Sequence, residues 1–380
     1  MQPIDFKADA PGKVMRTPQN YSAFVPNSLP PSLHLGEDLI HELSIADRAL
    51  GELNGVTRNL LNPHLLIGLF MRREAVLSSK IEGTQASLSD LFFFEASGVA
   101  TESSDVREVA NYVRALEHSL KRLETFPLSL RLMREMHEKL MHGVRGEHLT
   151  PGEFRRSQNW IGPPGCTLMD ATDVPPPVEE MNAALDGFEK YLHTPSSLPP
   201  LLRLALIHYQ FEAIHPFLDG NGRIGRLLIS LLLCKEELLN KPFLYLSAYF
   251  ERTRQEYYRH LLAVSQQNEW EAWLLYFVRG VAEQSRDGVR RTNQLLNLWK
   301  RYKEQAHATR ASVKLLAIID DLFRVPALSA PRLTKQFKVT PRTAQASIEK
   351  LISMGILREA TGMQRNRVYI AQEIIRAVEA

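Results

Sequence analysis

The sequence predicts a mainly α-helical protein, and three of its features carry that expectation. Apolar residues recur at three- and four-residue steps over most of the 380 residues. Two segments, 201–214 and the run from Arg223, are apolar nearly all round, as helices buried on every side are. From Ser312 onward, three short helical patterns precede two short strands, which is the order of a winged helix. The expected architecture is a helical core with one small β-hairpin and a C-terminal winged-helix domain.

Residues 1–36 carry Pro3, Pro11, Pro18, Pro26, Pro30 and Pro31 without helical periodicity, so they read as an extended arm on the body. From Asp38, Leu39, Leu43, Ala46, Leu50 and Leu53 mark a first helix, and a second fits Pro63 to about Ser78. Helical patterns resume over Val106–Leu123, with Ser104 or Asp105 as N-cap, and over Leu128–Met141. Between Arg155 and Pro177, Gly-Pro-Pro-Gly separates two short stretches able to pair as a hairpin, and three prolines end it. After the two apolar helices, Thr253–Val264 and Glu269–Lys303 are helical, and EQAHATRAS reads as a linker. Ser312–Phe323, Ala330–Phe337 and Pro341–Met354 give the last helices, the third with Thr340 as N-cap and Pro341 at its first position. Leu357–Glu359 and Arg367–Ile370 are the strands.

Composition narrows the class of function. With 44% hydrophobic and 23% charged residues the chain is ordinary for a globular protein. Its two cysteines, Cys166 and Cys234, fit neither a disulfide framework nor a zinc site, which points to a reducing, cytoplasmic setting. The N-terminus lacks the apolar stretch of a signal peptide. The most apolar run, Ile224–Cys234, is too short to cross a bilayer, so no membrane role is expected. A net charge of +3 says little about nucleic acid.

Chemistry concentrates in one loop, His215-Pro216-Phe217-Leu218-Asp219-Gly220-Asn221-Gly222-Arg223-Ile224-Gly225-Arg226, between the two buried helices. Gly220 and Gly222 allow positive φ and close backbone approach, so successive N–H groups can turn inward as an anion nest at the start of a helix. Arg223 and Arg226, three apart, can hold separate phosphate oxygens. Asp219 beside the nest would repel phosphate unless a divalent cation such as Mg²⁺ bridges them. His215 offers a neutral imidazole at pH 7 to take a proton from a hydroxyl. A connector between buried helices needs none of these groups.

The twelve residues match, without a departure, the Fic motif His-x-Phe-x-Asp/Glu-Gly-Asn-Gly-Arg-x-x-Arg. The segments ALGELNGVTRNLLNPHLLIGLFMRREAVLSSKIEGTQASLSDL and YLSAYFERTRQEYYRHL also resemble Fic proteins, so the resemblance covers about Ala49–Phe277. It implies a helical transferase that moves AMP from Mg²⁺–ATP to a Ser, Thr or Tyr hydroxyl of a protein. It implies His215 as base, Asp219 as Mg²⁺ ligand, Gly220, Asn221, Gly222 and Arg223 as the phosphate cradle, continued by Ile224 and Gly225, and Arg226 on the γ-phosphate. It places Tyr257 near the nucleotide base. The hairpin Trp160–Pro177 resembles the family's flap, which would hold the target segment by backbone pairing; a plain surface hairpin is the alternative.

Ser78-Ser79-Lys80-Ile81-Glu82-Gly83 fits the family's inhibitory pattern Ser/Thr-x-x-x-Glu-Gly/Asn, with Ser78 and Glu82 as its fixed members and Gly83 in its last position. Paired with Arg226, Glu82 would remove the cation that orients the γ-phosphate and put negative charge in its place. A solvated helix-end acid is the plainer reading of Glu82.

Over residues 331–376 nine Lys or Arg face three acids. Arg342, Gln345 and Lys350 are available to a groove, with Arg365 and Arg367 on the wing. The chain thus divides into an arm and inhibitory region (1–100), a Fic core (101–303) and a winged-helix unit (308–380). Expected partners are a protein hydroxyl substrate, a second copy in a homodimer, and nucleic acid through the last unit. The competing functions are AMP removal at the same site, with Glu82 orienting water, transfer of another phosphate-containing group, and a DNA-binding regulator that senses nucleotide.

Overall fold

The structure, a computed structural model, describes residues 1–58, 60, 64–97, 103–163, 165–362 and 367–379. The expectations for Pro63, Pro164, Arg365 and the boundary between residues 100 and 101 lie outside the described residues. The chain begins with strands β1 (Gly12–Arg16) and β2 (Ser22–Pro26), an antiparallel pair in register Gly12↔Pro26. This corrects the reading of 1–36 as an extended arm: Lys13–Arg16 and Ser22–Val25 lie between proline and turn residues, and Asn20, at φ 70°, closes the turn.

Helices α1 (Glu37–Arg58), α2 (His64–Ile81), α3 (Leu88–Ser97), α4 (Ser104–Leu123) and α5 (Leu130–Met141) follow, then α6 (Val178–His193), α7 (Pro200–Ile214) and α8 (Asn221–Lys235). Helices α3 and α6 are not among the expected elements. In α3 the run Leu91–Phe94 hides the period, while Ser87 and Asp90 cap each other's backbone N–H groups at its start. Helix α4 is capped by Ser103, whose hydroxyl accepts from the Val106 N–H, one residue earlier than expected. Helices α7 and α8 pack together at the centre with most side chains buried.

Helices α9 (Ser247–Arg252), α10 (Arg254–Gln267) and α11 (Trp270–Ala308) complete the helical body. The 39 residues of α11 run through most of the expected linker, because Tyr302 and Ala306 continue its buried stripe and only Thr309 ends it. Then come α12 (Val313–Leu322), β3 (Ala327–Ser329), α13 (Ala330–Phe337), α14 (Pro341–Ser353), β4 (Arg358–Glu359), β5 (Val368–Ile370) and α15 (Gln372–Glu379). The three strands form an antiparallel sheet in the order β3-β5-β4. Thr340 caps α14 as expected, accepting from the Thr343 N–H at 3.2 Å. Among the described residues no helix is long and apolar enough to cross a membrane.

The stretch 155–177 is not a laddered hairpin. Among the described residues it has one bridge, between Ile161 and Asp173, and one 3₁₀ turn at Leu168–Asp170. Part of its pairing is taken by the N-terminal strands: the Phe24 N–H donates to the Val174 carbonyl at 2.9 Å, and Ala23, Ala171 and Val174 form a small separate core.

Candidate active site

Helix α7 ends because His215 adopts the left-handed conformation, φ 49° and ψ 60°, and its N–H still donates to Phe211 O. Its imidazole Nδ1 lies 3.2 Å from the Glu212 carbonyl. A carbonyl only accepts, so Nδ1 carries the proton and Nε2 is the free acceptor. Burial lowers the His215 pKa to about 4, the Glu212 contact opposing this and Arg155 adding to it. The ring is neutral at pH 7.

The loop after His215 is tied from two sides. Asn221 closes it on itself, accepting from Phe217 N at 2.8 Å and donating to Phe217 O at 2.8 Å. From outside, Arg155 Nε donates to His215 O at 3.0 Å, and Asn159 Nδ2 to Phe217 O at 2.8 Å and His215 O at 3.2 Å. His137 stacks on Phe217 with ring centres 3.9 Å apart and donates from Nε2 to Asp219 O at 3.0 Å. Burial holds His137 down at about 4, so it is a neutral strut. Gly220, at φ 78°, then starts α8 with no side-chain cap, which leaves the N–H groups of Asn221, Gly222 and Arg223 for an anion.

Arg226 is 2% exposed and donates three hydrogen bonds, Nε to Ser78 Oγ at 2.8 Å, Nη2 to Ser78 O at 2.9 Å, and Nη2 to Glu82 Oε1 at 2.6 Å. Burial alone would raise the pKa of Glu82, but Arg226, with Arg223 and His215 adding to it, brings the carboxyl below its ordinary value. Gly222 makes room for this contact, since a Cβ there would lie 2.4 Å from Glu82 Oε1. Arg223 is equally buried and reaches Glu108 and Asp219, each at 3.5 Å. Asp219 remains 38% exposed; its Oδ1 accepts from Gly220 N at 2.6 Å.

The structure therefore brings Ser78, Glu82, His215, Asp219, Gly220, Asn221, Gly222, Arg223 and Arg226 to one place. Ile224 is buried beneath it, and Gly225 admits the Glu212 carboxyl where a Cβ would clash at 2.2 Å. Gly83, at φ 95°, ends the turn after α2. Tyr257 is 1% exposed, and its hydroxyl is 2.7 Å from His208 Nε2, so the half-exposed Tyr258 beside it offers the open ring. Arg155, Asn159, His137, Glu108 and Glu212 were not singled out by the sequence. Glu212 has a legible signal, the one acid of a largely apolar helix, and burial pushes its carboxyl up to about 8 against the pull of Arg226.

Residues 40–121 match the Fic/DOC family N-terminal description and residues 127–233 the Fic/DOC family description. This is a Fic/DOC family protein. It is 28% identical over 162 residues to the protein adenylyltransferase Fic of Drosophila erecta and 29% identical over 162 residues to that of Drosophila virilis. Each match covers 41% of this Fic/DOC chain, and the chain spans about a third of the length of those relatives, 30% and 31%. Its fold resembles that of a Fic family protein from Desulfovibrio desulfuricans, with TM-score 0.58 and 17% identity over 90% of this chain and 98% of that one. It also resembles a Fic domain containing signalling protein from Bacteroides thetaiotaomicron, with TM-score 0.51 and 18% identity over 66% of this chain and 95% of that one.

Proposed function

We propose that this protein transfers AMP from ATP to a Ser, Thr or Tyr hydroxyl of a protein, and that Glu82 restrains it. One juxtaposition carries the reading: the free Nε2 of His215 stands over an uncapped helix start flanked by two buried arginines. The target oxygen attacks the α-phosphorus, the bond to the bridging oxygen breaks, pyrophosphate leaves, and the proton passes to His215 Nε2. Backbone N–H groups and Arg223 hold the phosphates in line.

Among the described residues no group of three acids, histidines or cysteines can hold a metal alone. Half-exposed Asp219 beside the nest offers the hard oxygen donor that Mg²⁺ takes and would hold the ion there. When bound, the ion would neutralise charge that builds up on the departing pyrophosphate. Asp219→Ala is expected to lower transfer about 10²-fold, in the range of a lost electrostatic contact, and to change its Mg²⁺ dependence. A titration of rate against Mg²⁺ identical to that of the parent would remove Asp219 from this role.

The direct test is labelling of a lysate with ATP radiolabelled at the α-phosphate, with Glu82→Gly in the chain. Protein-bound label from α- but not γ-labelled ATP supports AMP transfer; label from γ alone contradicts it. AMP removal is the second reading, favoured by the 32% exposure of the Glu82 side chain, which leaves one of its oxygens for water. Residues 308–380 read as a winged helix used for protein contacts, since Lys350, a cation the groove would need, is turned to Thr309 O. Gln345 likewise turns to Glu349.

A further inference from the structure

Both arginines of the loop have an acidic partner from outside it, and only Glu82 belongs to the restraint described above. Arg223 is 2% exposed, and its Nη1 lies 3.5 Å from Oε2 of Glu108, a carboxylate of α4 that is also 2% exposed. The other contacts of Arg223 are as loose: Nη2 is 3.5 Å from Asp219 Oδ1 and 3.7 Å from Met141 Sδ, and Nε is buried without a hydrogen-bond partner. A buried guanidinium held only at such distances is under-satisfied, and a phosphate oxygen would complete it. Glu108 is fixed where it stands. Thr84 Oγ1 donates to its Oε2 at 3.1 Å, and Arg145 Nε lies 3.8 Å from its Oε1. Thr84, itself buried, follows Glu82 by two residues and is tied to α2 through Ser79 O at 3.2 Å.

We infer that Glu108 is a positioning residue that holds Arg223 back from the phosphates. It does so by charge and by place: it neutralises the one cation of the nest that Glu82 does not touch, from a side chain locked by Thr84. The inference rests on the AMP-transfer reading only in that Arg223 meets ATP.

The test is ATP binding by calorimetry on the full chain carrying Glu82→Gly, with and without Glu108→Gln. Glutamine keeps the shape and the acceptor for Thr84 but removes the charge, so ATP is expected to bind about three- to tenfold more tightly. KM for ATP should fall by the same factor while kcat stays within about twofold. A merely structural role would lower kcat and leave affinity unimproved. In an Arg223→Ala background the gain should vanish, since both residues act through one contact. If Glu108→Gln does not fold, Glu108→Asp, with its charge withdrawn from Arg223 by one methylene, should shift affinity in the same direction by less. Equal or weaker ATP binding in the folded variant overturns the inference. Absence of ATP binding in the Glu82→Gly parent would instead remove the AMP-transfer reading.

Discussion

His215→Ala is expected to lower AMP transfer by about 10²- to 10⁴-fold, the usual contribution of a positioned general base, while ATP binding changes little. The separation follows from where the atoms are. The imidazole sits at the end of α7, tied through Nδ1 to Glu212 O with Nε2 left as acceptor, whereas the phosphates would be held by the first turn of α8 and its arginines. The loop itself should survive the change, because the contacts that fix it go to the backbone oxygens of His215 and Phe217 and to the Asn221 side chain. The pH profile adds a second check. Transfer requires the neutral ring, so the rate falls as pH drops through the His215 pKa. With that pKa lowered to about 4, mainly by burial, activity should persist well below pH 6.5. Transfer assays from pH 4 to 8, beside calorimetric ATP binding, read both effects. Full activity of His215→Ala, or parallel loss of transfer and ATP binding, would take the base role from this residue.

How much of this was legible in the sequence depends on whether the signal was local. The loop from His215 to Arg226 was legible because a helix end, an anion nest and a helix start must be contiguous, and each needs its own residue types within a few positions. The two central helices were legible because segments buried on all sides are apolar nearly all round. Arg155 and Asn159 were not, since their task is to bond carbonyls some 60 residues away, and nothing around RRSQN marks that. His137 looked like one helix residue among others until its stack on Phe217 placed it beneath Asp219. The N-terminal hairpin was obscured by its prolines, and the stretch 155–177 looked like a hairpin because Gly-Pro-Pro-Gly separates two short stretches, whereas Val174 O accepts from the Phe24 N–H of β2 instead. Tyr257 and Tyr258 are adjacent in sequence, and only packing on Phe250, with ring centres 4.5 Å apart, decides which is buried.

Glu82→Gly is expected to raise the rate of AMP transfer, against the general tendency of substitutions at functional positions to lower activity. Arg226 is buried, with two hydrogen bonds to Ser78 of α2 and one to the Glu82 carboxylate just after that helix, at 2.6 Å. Removing the carboxylate leaves the Ser78 contacts to orient the guanidinium but frees Nη2 for a γ-phosphate oxygen. It also deletes a negative charge that lies against Gly222, where the phosphates would approach. A charge-assisted hydrogen bond of about 1.5–3 kcal/mol corresponds to roughly a 10- to 150-fold gain. The exposed side of Glu82 places the result toward the lower end. Glycine is a suitable replacement because the residue sits at the end of α2, just before Gly83 at φ 95°, where added backbone freedom costs the helix little. The gain should depend on Arg226: Glu82→Gly with Arg226→Ala should remain weakly active, since both changes act through one contact. Self-labelling with α-labelled ATP reads the rate, and calorimetry confirms that the variants bind ATP. If Glu82→Gly binds ATP as the parent does and labels no faster, Glu82 is not a brake. A concurrent loss of AMP release from a modified protein would then assign Glu82 the water-orienting role.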